Sequence, residues 1–131
     1  MRKVLVAKNP DLQRPYGDTI ARVARDLVKE HGYTNIVSAS SGFGKDVVPR
    51  LGGLLDLQAI TDVIEVVEGG EKFKRPVYAG NAVATVSTSD STKLLTVRPT
   101  NFEKVPTDEA ENGYPVEDVN VNLEGIKGKW I

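Results

Sequence analysis

The residues with the clearest chemical potential form a Gly-Phe-Gly-Lys turn at 42–45, between an apolar run and a helical pattern. Such a turn can bind phosphate, because backbone N–H groups and the helix N-terminus point at the anion. The phosphate-loop pattern requires a first glycine where this chain has Ala39, and a serine or threonine where it has Asp46. The dinucleotide-binding pattern also fails, because Val47 stands in place of its third glycine. We expect the glycines to allow a sharp turn and close helix packing, with direct ligand binding as the alternative.

The other candidates for catalysis do not form a recognisable set. His31 is the only histidine, and it lies at the end of a helical pattern, where a cation is favourable; with no second ligand, a metal site is not expected. Asp62 and Glu65 would point to opposite faces of a strand and would not converge. Ser40-Ser41 has no histidine or aspartate to activate a nucleophile, so we expect helix capping.

Polar residues in the second half of the chain require separate interpretation. They are Arg75, Tyr78, Asn81 and Arg98. Tyr78–Asn81 has the composition of a tight turn in which the Asn81 amide can bond its own backbone, so a structural role is expected. Arg98 precedes a proline that forces an extended exit, and it can pair with Asp62 or Glu65 or face a partner. We assign no catalytic, cofactor-binding or metal-ligating residue from these patterns.

The chain begins with a strand and a helix. Lys3–Ala7 is a short apolar run, typical of a strand covered on both faces. After Asp18, a candidate N-cap, apolar residues from Ile20 to Val28 recur at helical spacing. Gly32 is placed to end this helix.

A second strand and a second helix follow. Residues 35–39 predict another buried strand, and 44–55 predict a helix with an apolar stripe. Pro49 removes a backbone hydrogen bond inside this helix. We therefore expect the helix to begin late, near Val47, or to kink.

The second half of the chain predicts strands joined by turns. The β-like segments, separated by glycine-, asparagine- or serine-rich turns, are 61–67, 74–79, 82–88 and 93–98. Because no helix separates them, we expect antiparallel pairing in a meander. Residues 107–114 are acidic and favour exposure, 116–123 can form a further strand, and 124–131 is typical of a frayed tail. The pattern is that of a mixed α/β domain.

Composition excludes several classes of protein. The 131 residues suffice for one domain, and a net charge of −1 gives no bulk attraction to nucleic acid or acidic membranes. The absence of cysteine excludes disulfides, thiol nucleophiles and thiolate metal sites. No apolar run approaches the length of a membrane-spanning helix.

Four blocks of this sequence resemble the N-terminal domain of the electron transfer flavoprotein alpha subunit. They are Lys3–Ala7, 40–66, Arg75–Val86 and Thr96–Phe102, in the family's order and spacing. The Tyr-Ala-Gly-Asn-Ala block at 78–82 is the most specific of them. The resemblance covers about residues 2–105. It implies an adenine-nucleotide-hydrolase-like three-layer α/β fold, with parallel strands and an antiparallel β meander.

The resemblance also implies a function. Members of this family carry electrons from flavin dehydrogenases, including acyl-CoA-type dehydrogenases, to a quinone oxidoreductase, and are not themselves enzymes. The alpha subunit pairs with a beta subunit, and FAD lies mainly in a C-terminal domain of alpha. The domain resembled here is scaffold, so we expect this chain to bind no FAD, nucleic acid or membrane. The location would be the mitochondrial matrix in a eukaryote and the cytoplasm in a bacterium.

Two departures from the family pattern define the expected domains. Alpha subunits usually begin with a further strand–helix–strand before the block at Lys3, and they continue into an FAD domain. We therefore interpret 1–106 as the scaffold domain and 107–131 as an exposed segment and linker toward an absent FAD domain. The alternatives are a free-standing nucleotide-binding domain that uses 42–45, and an interaction module driven by an exposed strand edge.

Overall fold

A computed structural model describes residues 2–106, 113–126 and 128. The strands in these residues are β1 Val4–Ala7, β2 Asn35–Ala39, β3 Ala59–Val63, β4 Glu65–Val67, β5 Lys72–Val77, β6 Ala82–Val86, β7 Lys93–Val97 and β8 Val116–Val119. The helices are α1 Gly17–His31 and α2 Gly42–Leu55. In the described part of the chain, neither helix has the length and apolar character needed to cross a bilayer.

The eight strands form three sheets. The central sheet is parallel, with β7 between β2 and β3. A second parallel sheet consists of β1 and β8, and the third is antiparallel in the order β4-β5-β6. The predicted α/β fold with parallel strands plus an antiparallel unit is confirmed.

The central sheet has an apolar core on each face. On one face, Leu94 of β7 packs against Ala21 of α1 and Val48 and Leu51 of α2, and all four side chains are buried. On the other face, Leu95 packs against Phe73 of the antiparallel sheet in a cluster that also contains Ile60 and Val63. Consecutive residues of β7 therefore anchor the two halves of the domain.

The predicted meander is wrong for the segment 93–98 and for the first half of 61–67, whereas the second half of 61–67 pairs antiparallel as expected. Residues 93–97 do not pair with β6; they enter the central sheet as its middle strand, parallel to both neighbours. The segment 61–67 divides at Ile64, so that β3 belongs to the central sheet and β4 to the antiparallel sheet. Short connections permit antiparallel pairing, but here the burial of Leu94 and Leu95 on both faces favours the central position.

Helix α2 begins earlier than its proline indicates. It starts at Gly42, capped by Ser41, and continues through Pro49 to Leu55. The late start expected near Val47 is therefore wrong, because the helix begins five residues earlier. A proline in a helix interior costs about 3 kcal/mol, because it removes a hydrogen bond and its ring clashes with the preceding turn. Burial of the neighbouring Val48 and Leu51 offsets this cost.

Helix α1 is capped from outside its own segment. Its N-cap is Tyr16, and the predicted cap, Asp18, lies in the first turn instead. The Gly17 amide donates to Asp46 Oδ2 of α2 at 2.6 Å, and Asp18 forms an ion pair with Arg50 of α2 at 2.8 Å. These contacts tie the two helices together at one end. The predicted C-terminal glycine is confirmed, with Gly32 at φ 66°.

The edge formed by β1 and β8 is less buried than the sequence indicates. Val4 is exposed and the rest of β1 is half-buried, so this strand is not covered on both faces as expected. The predicted strand within 116–123 is confirmed at Val116–Val119. Within the segment expected to be a frayed tail or linker, the Gly128 carbonyl accepts a hydrogen bond from the Tyr16 hydroxyl. The expectations for 107–112, 127 and 129–131 lie outside the described residues.

Candidate functional site

Polar side chains converge where the three strands of the central sheet end. Ser40 follows β2, Asp62 lies near the end of β3, and Thr96 and Arg98 lie at the end of β7. Lys45 reaches the same place from the first turn of α2. We call these five residues the carboxyl-edge cluster. Ligands of open α/β sheets bind outside the carboxyl ends of the strands, which makes this edge the first place to look for a site.

The backbone of Asp62 is arranged by a bulge in β3. The pairing register with β7 shifts between Ile60 and Val63, and Asp62 has a φ of 60°. The Asp62 amide donates to Thr96 Oγ1 at 3.0 Å, and the hydroxyls of Thr96 and Ser40 lie 2.8 Å apart. A left-handed conformation in a non-glycine residue costs about 1–3 kcal/mol unless its surroundings hold it there. The buried Thr96 hydroxyl provides that support.

The Asp62 carboxylate joins two cations. Its Oδ1 lies 3.3 Å from Lys45 Nζ and 3.6 Å from Arg98 Nε. Partial burial alone would raise the pKa of Asp62, but the Lys45 ammonium, the Ser40 hydroxyl and the charge of Arg98 together hold it below its ordinary value. Asp62 is therefore a charged anchor rather than a proton donor or acceptor near neutral pH.

The Gly-Phe-Gly-Lys turn is shaped by packing. A Cβ on Gly44 would collide with the Ala39 carbonyl oxygen, whereas a Cβ on Gly42 would meet open space. The Gly44 amide is already used, because it donates to Ser41 Oγ at 3.1 Å. The predicted packing role is confirmed for Gly44, and the predicted capping role for Ser41. Ser40 does not cap; it contacts Thr96.

The two positions that break the phosphate-loop pattern have definite structural roles. Asp46, in place of the serine or threonine, binds the Gly17 amide of α1. Ala39, in place of the first glycine, supplies the carbonyl against which Gly44 packs. Nothing in the sequence pattern signalled the pairing of Lys45 with Asp62 or of Asp46 with Gly17, since both cross between separate elements.

The other predicted residues lie apart from the cluster. His31 is exposed in the last turn of α1, with its ring 5.4 Å from that of Tyr33. Glu65 pairs with Lys74 on the antiparallel sheet, so it does not converge with Asp62. Among the residues described, no group of three or more histidine, cysteine or acidic side chains is arranged to hold a metal ion.

Arg75 and the Tyr78–Asn81 turn belong to the antiparallel sheet. Arg75 Nε donates to the Thr61 carbonyl at 2.9 Å, which ties β5 to β3. The predicted tight turn is confirmed by two backbone hydrogen bonds. The Gly80 backbone N–H donates to the Val77 carbonyl, and the Asn81 backbone N–H donates to the Tyr78 carbonyl. Tyr78 and Ala79 both have positive φ, at 52° and 51°. Of the three alternatives for Arg98, the structure shows pairing with Asp62.

The chemistry available at the carboxyl edge is electrostatic. Asp62, Lys45 and Arg98 carry one negative and two positive charges, so the cluster has a surplus positive charge beside the N-terminus of α2. The arrangement holds the ends of β3, β7 and α2 together. It can attract an anion, but it contains no pair of groups with nucleophile–base geometry.

Comparison with known proteins decides the family. A model of the electron transfer flavoprotein domain matches residues 1–124. The chain belongs to the electron transfer flavoprotein family. It is 38% identical over 131 residues to the probable electron transfer flavoprotein subunit alpha, mitochondrial, of Schizosaccharomyces pombe, and 39% identical over 130 residues to subunit alpha of Pseudomonas aeruginosa. The probable mitochondrial subunit alpha of Caenorhabditis elegans is 36% identical over 135 residues.

These alignments cover the chain and its relatives very differently. They include 100%, 98% and 100% of this chain, in the order given, but only 38%, 40% and 40% of the three relatives. The chain thus spans about two fifths of the length of these electron transfer flavoprotein subunits. The resemblance of the four sequence blocks is confirmed at the level of the family.

The Gly42–Lys45 turn does not fit the pyrophosphate of a flavin dinucleotide. At the carboxyl edge the Gly44 amide is bound by Ser41, the space beside Gly44 is filled by the Ala39 carbonyl, and Lys45 is paired with Asp62. A pyrophosphate needs free backbone amides and close approach to the helix N-terminus. Gly44 and Lys45, two of the four residues of this turn, are therefore already engaged in contacts within the protein.

Proposed function

We propose that this chain is a scaffold domain of an electron transfer flavoprotein alpha subunit, which binds a beta-type subunit and leaves FAD to other residues of the complete protein. The observation that carries the proposal is the near-complete alignment of this chain with only two fifths of each relative. The engaged state of the Gly42–Lys45 turn supports it, because the usual nucleotide edge serves packing here.

In this proposal the assembled protein is an electron carrier rather than an enzyme. Its donors are flavin dehydrogenases, including those of the acyl-CoA type, and its acceptor is a quinone oxidoreductase. The relatives from Schizosaccharomyces pombe and Caenorhabditis elegans are named as mitochondrial. We therefore place the complex in the mitochondrial matrix for a eukaryotic source and in the cytoplasm for a bacterial one.

Two measurements on the purified chain test the proposal. The first is a visible absorbance spectrum, with any bound nucleotide released by heat and identified. A colourless, nucleotide-free sample is expected, and stoichiometric flavin would contradict the scaffold role. The second is titration with the purified beta-type subunit of the same organism. A stable one-to-one complex is expected, and a mixture that elutes as separate species would contradict the subunit assignment.

A second candidate is a nucleotide-binding domain that uses the Gly42–Lys45 turn. The surplus positive charge of Lys45 and Arg98 over Asp62, beside the N-terminus of α2, favours it. Calorimetry with AMP and ATP separates the two functions. Heat of binding that disappears in Lys45→Ala but persists in Lys93→Ala would support the nucleotide site. Lys93 is a suitable control because its ion pair is with Glu71, away from the cluster.

A further inference from the structure

A cavity lies between the two segments that follow β1 and β8. Its volume is about 420 Å³, and its walls come from within residues 10–19, which lead from β1 into α1, and 123–128, which follow β8. The two strands are parallel, so both segments leave the sheet at the carboxyl ends of the strands, where open α/β sheets bind ligands. The carboxyl-edge cluster belongs to β2, β3 and β7 and shares no described residue with this cavity.

The wall that follows β8 is fastened to α1 and its N-cap by two hydrogen bonds. The Tyr16 hydroxyl donates to the Gly128 carbonyl, and Arg22 Nη1 donates to the Glu124 carbonyl at 3.2 Å. A Cβ on Gly128 would collide with the Tyr16 ring, so the two walls are in close contact there. Because the walls are already held together, a ligand that enters the cavity has a smaller ordering cost to overcome.

The cavity combines apolar and charged walls. Leu123 and Ile126, from the segment after β8, are half-buried, whereas Asp11 and Arg14, from the loop before α1, are exposed. Sites for small molecules are typically lined by apolar side chains, with a few polar groups that fix the orientation of the ligand. The volume lies toward the lower end of the range for such sites, so the cavity suits a small ligand.

The charged residues in the described walls have opposite signs. A ligand with a single charge, or with a phosphate, is attracted by either Asp11 or Arg14 and repelled by the other, whereas a ligand with an ammonium and a carboxylate is attracted by both. Asp11 is positioned by its backbone N–H, which donates to Asn9 Oδ1 at 2.8 Å. Arg14 already has a contact within the protein, but a guanidinium has five N–H donors and can bind a carboxylate in addition.

We propose that this cavity binds a free α-amino acid with an apolar side chain. The ammonium of the ligand binds the Asp11 carboxylate, its carboxylate binds the Arg14 guanidinium, and its side chain lies against Leu123 and Ile126. Charge-assisted hydrogen bonds of this kind are stronger than neutral ones and add geometric specificity. The inference goes beyond the proposed function and does not depend on it, because the cavity is separate from the Gly42–Lys45 turn and requires no second subunit.

Calorimetry of the purified chain with L-leucine tests the proposal. Isopentylamine and isocaproate are matched ligands, because they lack the carboxylate and the ammonium of leucine, respectively. We expect saturable binding of leucine, weakened about tenfold or more for either matched ligand and for leucine with Asp11→Asn, since each change removes one charge-assisted contact. Asp56→Asn is the control and should leave binding unchanged. Asp56 is also exposed, lies outside the cavity, and has a φ of 57°, which asparagine tolerates.

Methyl NMR gives a readout that requires no variant. Leucine should shift the methyl signals of Leu123 and Ile126 but not those of Leu51 and Leu94, which lie in the core between the helices and the central sheet. The absence of saturable heat, equal binding of all three ligands, or unchanged signals from Leu123 and Ile126 would overturn the proposal. Displacement of leucine by AMP would overturn it as well, because the cavity would then bind a nucleotide.

Discussion

An alanine at position 44 would place its Cβ against the carbonyl oxygen of Ala39 and 2.8 Å from Ser38 Oγ. The Ala39 contact is with backbone, so relief requires a shift of α2 relative to β2. Overpacking typically costs about 1–3 kcal/mol, and a backbone clash belongs at the upper end. The better helix propensity of alanine returns about 1 kcal/mol. We therefore expect Gly44→Ala to lower the free energy of unfolding by about 2 kcal/mol.

The same helix contains a matched control. Gly53 lies in the interior of α2, is exposed, and a Cβ there would meet nothing within 4 Å. Gly53→Ala should therefore raise the free energy of unfolding by about 0.5–1 kcal/mol, through reduced freedom of the unfolded chain. The same glycine-to-alanine substitution is therefore expected to lower the free energy of unfolding at position 44 and to raise it at position 53.

Urea unfolding followed by circular dichroism measures both effects. The midpoint should fall for Gly44→Ala and rise for Gly53→Ala, with the slope unchanged in each case. A Gly44→Ala midpoint equal to or above that of the wild type would refute the close packing of α2 on β2. If that variant also lost a bound nucleotide, the glycine would serve a ligand, and the second candidate function would gain.

Three further substitutions test individual contacts. Asp46→Ala removes the acceptor of the Gly17 amide and should destabilise the protein by about 1 kcal/mol in urea unfolding, with an unchanged midpoint arguing against a cap. Asp62→Asn should cost about 1 kcal/mol or less at neutral pH. Because the pKa of Asp62 is lowered in the folded protein, its contribution is present above the ordinary carboxyl pKa and is lost as pH falls through the lowered one. Unfolding measured across acid pH should thus be less pH-dependent in Asp62→Asn, and parallel pH profiles would contradict the ion pairs. Ala79→Gly, at φ 51°, should raise the thermal midpoint, because relief of about 1–3 kcal/mol of backbone strain exceeds the roughly 0.4–1 kcal/mol cost of a freer unfolded chain; a lower midpoint would count against that strain.

Local sequence patterns predicted individual helices and strands better than they predicted which strands pair in a sheet. The spacing of Ile20 to Val28 and the glycine at 32 indicate α1 correctly, because helix periodicity and capping are encoded within a few residues. The position of β7 between β2 and β3 is not encoded locally. It depends on which apolar faces are covered, and Leu94 and Leu95 gave no sign that each would be buried by a different layer.

At the candidate site, too, the sequence indicated what depends on local positions and missed what depends on contacts between elements. The sequence alone indicated that the phosphate pattern fails, because that pattern is a matter of fixed positions such as Asp46. It did not indicate what replaces phosphate binding. The ion pairs of Asp62 with Lys45 and Arg98 join three elements through a bulge with an unusual φ, and such a bulge has no signature in the order of residues.

The central position of β7 constrains how this domain can fold during synthesis and where the chain can be truncated. β2 and β3 cannot form a sheet on their own, since each pairs only with β7 in the described fold. During synthesis, β2 and β3 would remain unpaired along their inner edges until the ribosome has released the chain as far as Val97. Long-range contacts of this kind form slowly, and the unpaired strands are prone to aggregate in the meantime. A shortened chain that ends before Lys93 would keep both helices yet lose its middle strand. The smallest fragment able to fold must therefore extend through β7.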